Sequence, residues 1–363
     1  MVKKLPLKVD SYVMSECWTF YKLAIIQTHP DYHEWLAGHM SVVMLDDYNT
    51  LFGDQYGTFP TEYFNDVLCY EEIDVSSFDP DSVIDVFKKE IDNGGYINFD
   101  CNFNGFYGPF EEGSHDIHET LLYGYNDEDK TMFTTEIIQG KFCEVQMPYS
   151  DIIKGYKQTL EYFSEKPKEI YYRRSWFYPV TRITLKDKLY CVDPVYKLIR
   201  KLNSEYEGGK CTRTYMNDSG AKETHEYYHG MGIVEQILDI CKTALKEDIG
   251  LYNKQSGRIP GAYVKLHEHG LMIMDSVKWA YDKMNINSKE SKELYDRYAE
   301  TVDLLQMLYL LCFKYRFNNK DSLLESIAQK TEQCLVESRQ ALKTLEEFLL
   351  DEYVKYNSVK IVL

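Results

Sequence analysis

Near Pro148 the spacing of hydrophobic positions along the chain changes period. Before it, apolar and polar residues alternate in short runs, which predicts strands. SVVML (41–45), GYINFDCNF (95–103), ETLLYGY (119–125), KTMFTTEII (130–138) and FCEVQM (142–147) are such runs, rich in β-branched and aromatic residues. GYNDEDK, between the third and fourth, reads as a turn. One early segment, ECWTFYKLAIIQT (16–28), has helical spacing instead, with Ser15 as N-cap. After Pro148 the period becomes helical. SDIIKGYKQTLEYF predicts a short amphipathic helix, and DPVYKLIRKLNSEYEGG a capped one, with Asp193 at the N-cap, Pro194 at N1 and Gly208 past the end. Long helical stretches follow at about 222–248, 259–284, 288–318 and 320–355, which predicts an antiparallel bundle.

The pattern therefore predicts an α+β chain in two parts, a core over 1–160 and a mainly helical region over 161–363. At 363 residues, 44% apolar and 27% charged, the chain is able to form a packed interior. The net charge of −17 argues against a nucleic-acid binder and favours cationic ligands such as amines. Nine scattered cysteines without a CxxC pair indicate neither a zinc ribbon nor a disulfide framework. The N-terminal segment lacks an apolar stretch of signal-peptide length, and no run of eighteen apolar residues occurs, so a cytoplasmic protein is expected.

Candidate chemistry starts at Cys17, placed in the first turn of the first helix. There the helix dipole and unpaired N–H groups favour the thiolate. His118 stands at the head of the strand ETLLYGY and Glu136 near the end of the next, so pairing across the turn would let the acid orient the imidazole. His115 competes as the base. A rival motif, HEYYH at 225–229, matches the zincin pattern if it is helical, with Glu226 as base. HEHG at 267–270 and the pair His29/His33 read as polar helix faces. The basic stretch KPKEIYYRRSWFYP (166–179), with Lys166, Lys168, Arg173 and Arg174, reads as a solvated rim or a docking patch for an acidic partner.

The order of Cys17, then His118, then an acid on the following strand resembles the papain-like cysteine peptidase fold, and HETLLYGYNDEDKTMFTTE matches its histidine block. GGYINFDCNFNGFYGPF adds a likeness to acyltransferases of the butirosin-biosynthesis type. Related homologues make amide bonds in closthioamide-like thioamide antibiotic pathways. The resemblance covers roughly residues 10 to 150. It implies a papain-like core carrying a large helical C-terminal region. It further implies acyl transfer from a carrier-protein thioester, through a Cys17 acyl-enzyme, onto an amine, in specialised-metabolite biosynthesis. No cofactor is expected, since phosphopantetheine arrives on the carrier protein. The alternatives are a papain-like peptidase or a zinc metallopeptidase using HEYYH.

Two departures stand out. Glu136, flanked by Thr134 and Thr135, occupies the place where the family has Asp or Asn, which leaves open which side chain meets the imidazole. No Gln precedes Cys17, so the oxyanion would be held by the backbone N–H of Cys17 with Ser11 or Ser15. Glu111, Glu112 and Asp116 are candidates to hold the amine.

Overall fold

A computed structural model describes the chain apart from residues 11–12, 14–16, 40–41, 47–50, 55–63, 75–78, 104–116, 139–140, 165–179, 190, 217–221, 248–258 and 363. In chain order the first elements are β1 (Val2–Lys4), α1 (Cys17–Ile26), α2 (Tyr32–His39), β2 (Val42–Asp46), β3 (Leu51–Asp54), β4 (Leu68–Glu72), α3 (Val83–Asp92) and β5 (Tyr96–Asn102). Next come β6 (Ile117–Asn126), β7 (Thr131–Ile138), β8 (Lys141–Pro148), α4 (Tyr149–Ser164) and β9 (Thr181–Leu185). The rest comprises α5 (Pro194–Glu207), β10 (Gly209–Met216), β11 (Lys222–His229), α6 (Met231–Glu247), α7 (Ile259–Met284), α8 (Lys289–Asn318) and α9 (Asp321–Val362).

The chain divides into two compact units that interleave in sequence rather than meeting near residue 160. The first takes Met1–Pro30, Tyr56–Leu189 and Asp218–Ala221; the second takes Asp31–Gln55, Tyr190–Asn217 and Lys222–Leu363. Both contain antiparallel sheet, so the protein is of mixed α and β class.

The first unit is built on a seven-stranded sheet in the order β4-β9-β5-β6-β7-β8, with β1 added against β6. The β6–β7 hairpin turns at 127–130, where the Asn126 side-chain oxygen accepts from the Glu128 N–H at 3.0 Å and Lys130 takes a φ of 55°. Gly124 and Tyr125 lie inside β6, contrary to the turn read from GYNDEDK. Lys4 pairs with Gly124, and a Cβ there would lie 2.5 Å from the Lys3 carbonyl oxygen, so the approach of β1 requires glycine.

α3 and α4 cover one face of this sheet. Val83, Phe87 and Ile91 pack with Ile97, Phe99, Cys101, Leu122, Met132, Ile152 and Tyr156 in one apolar core. β5 alternates strictly, so its other side chains, Asn98, Asp100 and Asn102, point to the opposite face. An alternating strand ordinarily leaves its polar face in water. Here every residue of β5 is buried. α1 packs against β6 on that polar side: Phe20 stacks on Phe142, and Tyr21 donates to the main-chain carbonyls of Glu119 and Thr135, each at 3.4 Å. α1 is buried on every side from Thr19 to Ile26, as expected of a helix apolar all round, with one anomaly, Lys22.

The second unit joins a four-stranded sheet, in the order β10-β11-β2-β3, to a set of packed helices. SVVML thus supplies a strand of this sheet, not of the catalytic-core candidate. α5 is capped as the sequence indicates: Asp193 accepts from the Tyr196 N–H at 3.2 Å, and Gly208 follows the last turn with a φ of 60°. The helix expected over 222–248 starts only at Met231. Residues 222–229 instead form β11, held between β10 and β2. Sheet pairing there overrides the local pattern, and Thr224, Tyr227 and Tyr228 suit a strand.

Candidate functional site

Cys17 is the first residue of α1 and is partly buried. Its Sγ lies 3.3 Å from Nε2 of His118, at the exposed start of β6. The other ring nitrogen of His118, Nδ1, lies 2.8 Å from the main-chain carbonyl oxygen of Glu119. A carbonyl can only accept, so Nδ1 carries the proton and Nε2 presents its lone pair to the thiol. That is the tautomer a general base for Cys17 needs. A thiol at the positive end of a helix, 3.3 Å from a correctly oriented imidazole, can form a thiolate–imidazolium pair.

Glu136, expected to orient the imidazole, makes no hydrogen bond to it. Its carboxyl accepts from the Thr120 hydroxyl at 2.7 Å. A bulge in β6 at Tyr123 sets its position: Gly124 pairs with Phe133, but Leu122 pairs with Thr134. Continued by two residues, that register sets Glu136 opposite Thr120, on the face covered by α3 and α4. Burial pushes the Glu136 carboxyl up to about 7, against the Thr120 hydrogen bond and the charge of His118. Glu136 therefore acts on His118 through space. Thr134 and Thr135, its neighbours, are buried in the sheet, and neither hydrogen-bonds to the imidazole.

The opposite face of β6 holds polar residues to which the sequence motifs assign no role. Glu119 pairs with Asp100 and shares its face with Asn98. Its carboxyl is buried, which raises its pKa; Lys22, the Cys17 thiol, His118 and Asn98 all pull the other way. Lys22 is 1% exposed, and burial brings it down to about 8 against the attraction of Glu119 and Cys17. Two signals in the sequence mark this set: a lysine inside the otherwise apolar CWTFYKLAII, and the polar alternation of YINFDCN.

The remaining candidates divide between other places in the fold and undescribed residues. Ser11, Ser15, Glu111, Glu112, His115, Asp116, Lys166, Lys168, Arg173 and Arg174 lie outside the described residues. HEYYH is on β11, where His225 and His229 stand four residues apart along a strand, roughly 13 Å. Two zinc ligands must each reach the ion at about 2 Å, so the helical zincin geometry does not form there. In HEHG, His269 is buried in the second unit, with Nε2 3.1 Å from the Glu205 carboxylate. His33 Nδ1 lies 2.8 Å from Asp275, and His29 Nε2 lies 3.1 Å from the carbonyl of Asp187. Among the described residues no helix is long and apolar enough to cross a membrane. No protein-family model and no curated protein matches the chain.

Proposed function

We propose that the chain is a cysteine-dependent acyltransferase with a papain-like catalytic core. In this reading it moves an acyl group from a carrier-protein thioester onto an amine. The observation that carries it is the 3.3 Å contact between Cys17 Sγ and His118 Nε2, with Nδ1 bound to a main-chain carbonyl. Cys17 attacks the thioester carbonyl as its proton passes to His118 Nε2. The tetrahedral intermediate collapses, and the departing pantetheine thiolate takes that proton back, leaving an acyl-Cys17 thioester and neutral His118. An amine then attacks the acyl carbon, His118 removes its proton, and collapse releases the amide and the Cys17 thiolate, which the imidazolium reprotonates. The net charge of −17 suits a cationic amine acceptor. The basic stretch 166–179 suits an acidic carrier protein. The chain would work in specialised-metabolite biosynthesis and in the cytoplasm.

Intact-mass measurement tests the reading. The chain is loaded with an acyl N-acetylcysteamine thioester, and diamines or amino sugars are then added. An acyl adduct on Cys17 that is lost to amide supports it, with Cys17→Ala forming neither adduct nor amide. Loss of the adduct only to free acid supports a peptidase-like hydrolase instead. Full activity in Cys17→Ala rules the cysteine mechanism out.

A further inference from the structure

We propose that Lys22 and Glu119 are positioning residues which balance the charges of the Cys17–His118 pair, and that Tyr21 holds the nucleophile helix to the base strand. The inference rests on the cysteine reading above and assigns roles that the motif resemblance does not supply.

The geometry turns on one carbonyl. The Glu119 main-chain oxygen takes the Nδ1 proton of His118 at 2.8 Å and the Tyr21 hydroxyl at 3.4 Å. Tyr21 is four residues after Cys17, hence one turn along the same face of α1. A single acceptor thus joins the helix that carries the thiol to the strand that carries the base. Its second hydroxyl contact, to the Thr135 carbonyl at 3.4 Å, extends the clamp to β7.

The side chains around that carbonyl supply buried charge beside a partly buried Cys17 and a His118 at the exposed start of β6. Transfer of the Cys17 proton to His118 creates a thiolate and an imidazolium. Isolated charges are costly in such surroundings unless opposite charges lie beside them. Lys22 and Glu119, 1% and 8% exposed, provide these. The ammonium is attracted to both the thiolate and Glu119, and the carboxylate to both Lys22 and the imidazolium. Lys22 and the imidazolium thus offset the thiolate and the Glu119 carboxylate, which also meet each other through a Cys17–Glu119 hydrogen bond. Among the described residues, the charged and titratable groups facing this set are Cys17 and Lys22 from α1, Asp100 from β5, and His118 and Glu119 from β6, with Glu136 of β7 acting on His118 as well.

The test is the pH dependence of Cys17 alkylation by iodoacetate, an anion drawn to the imidazolium so that the rate falls again as His118 loses its proton, in the full chain and read on the Cys17 peptide by mass spectrometry. It needs no acyl substrate, so it separates this inference from the acyltransferase reading. Wild type is expected to react as a thiolate below pH 7. Lys22→Met removes the charge beside the thiolate, so the acidic limb moves up by about one pH unit, an about tenfold slower reaction at pH 6.5. Glu119→Gln removes the charge beside the imidazolium, so the basic limb moves down. Each single variant leaves one buried charge without its partner, so the double variant Lys22→Met/Glu119→Gln serves as the folded, neutral control and is expected to show both shifts. A folded double variant with the wild-type profile overturns the charge-balancing role. Tyr21→Phe keeps the aromatic packing and is expected to slow alkylation at all pH values without moving either limb; an unchanged rate overturns the clamp. If both limbs shift as expected but wild type takes no acyl group, the acyltransferase reading fails and the charge-balancing role stands.

Discussion

The two faces of strand β6 are made differently. On the α3–α4 side, Phe87, Phe99, Leu122 and Tyr156 form a dry apolar layer, and Glu136 beside it acts on His118. On the α1 side, Lys22, Asn98, Asp100, Asn102 and Glu119 lie buried. The first arrangement contributes stability, since each large side chain removed from water is worth about 1.5–3 kcal/mol. The second costs stability, because burial disfavours its charges, and it stands next to Cys17, which faces His118. The difference separates a face that holds the fold together from a face that places buried charge beside Cys17 and His118.

The largest expected effect lies on the apolar face. Phe99→Ala should lower unfolding free energy by about 3–5 kcal/mol, measured by urea denaturation. The Cys17 alkylation profile of the folded variant should stay as in wild type; a shift of either limb would mean the two faces are not separable.

The next effect depends on pH. Glu136 has an ordinary carboxyl pKa of 4.5 when unfolded and about 7 when folded. Between those values the folded state binds the proton more tightly. This contribution to stability therefore falls as pH rises from 4.5 to 7 and is flat above. A rise of this size corresponds to roughly 3 kcal/mol at most. Glu136→Gln should accordingly gain on wild type as pH goes from 5 to 8, in parallel urea titrations. Equal slopes would show that Glu136 is not held in its protonated form by burial. If the proposed acyl transfer holds, the same variant should keep its kcat, because the Nδ1 partner is a main-chain carbonyl; a loss of several hundredfold would return Glu136 to the role of direct orienter.

Lys22 gives the opposite sign on the other face. Its pKa falls from 10.5 to about 8 on folding, so the unfolded state binds the proton more tightly between those values. Stability from this group rises with pH from 8 to 10.5, again by roughly 3 kcal/mol at most. Hydrogen exchange of α1 amides at pH 8 and 10, compared with Lys22→Met, reads it; a wild type that does not gain on the variant contradicts the buried charge. The smallest effect is Thr120→Val, which removes one hydrogen bond to Glu136 at nearly constant volume and should cost about 1 kcal/mol above pH 7. A cost that persists unchanged at pH 5 would mean the hydroxyl serves packing rather than the carboxylate.

Much of the local structure was legible from residue types and spacing. Asp193 and Gly208 mark the ends of α5 because an N-cap oxygen and a glycine of positive φ answer needs local to the chain. The runs 95–103, 119–125 and 130–138 read as strands because alternation is also local. Cys17 and His118 were found by residue type, order and resemblance. Their 3.3 Å contact belongs to the tertiary structure, since it joins residues 101 positions apart.

Three features escaped the sequence for one physical reason: they depend on what lies across from a residue. HEYYH has helical spacing of its histidines, but pairing with β10 and β2 draws it into a strand. Glu136 would share a face with Glu119 in an unbroken hairpin; one extra residue at Tyr123 moves it to the other side, as any single-residue slip in a strand must. Asn98, Asp100 and Glu119 look like a solvated face by alternation and become an interior only when α1 covers them. The sequence alone indicated most of the strands, the capped helix α5, and Cys17 and His118 as residues to be examined together. Only the tertiary structure decided which acid faces the pair, because register and burial are set between segments and not within them.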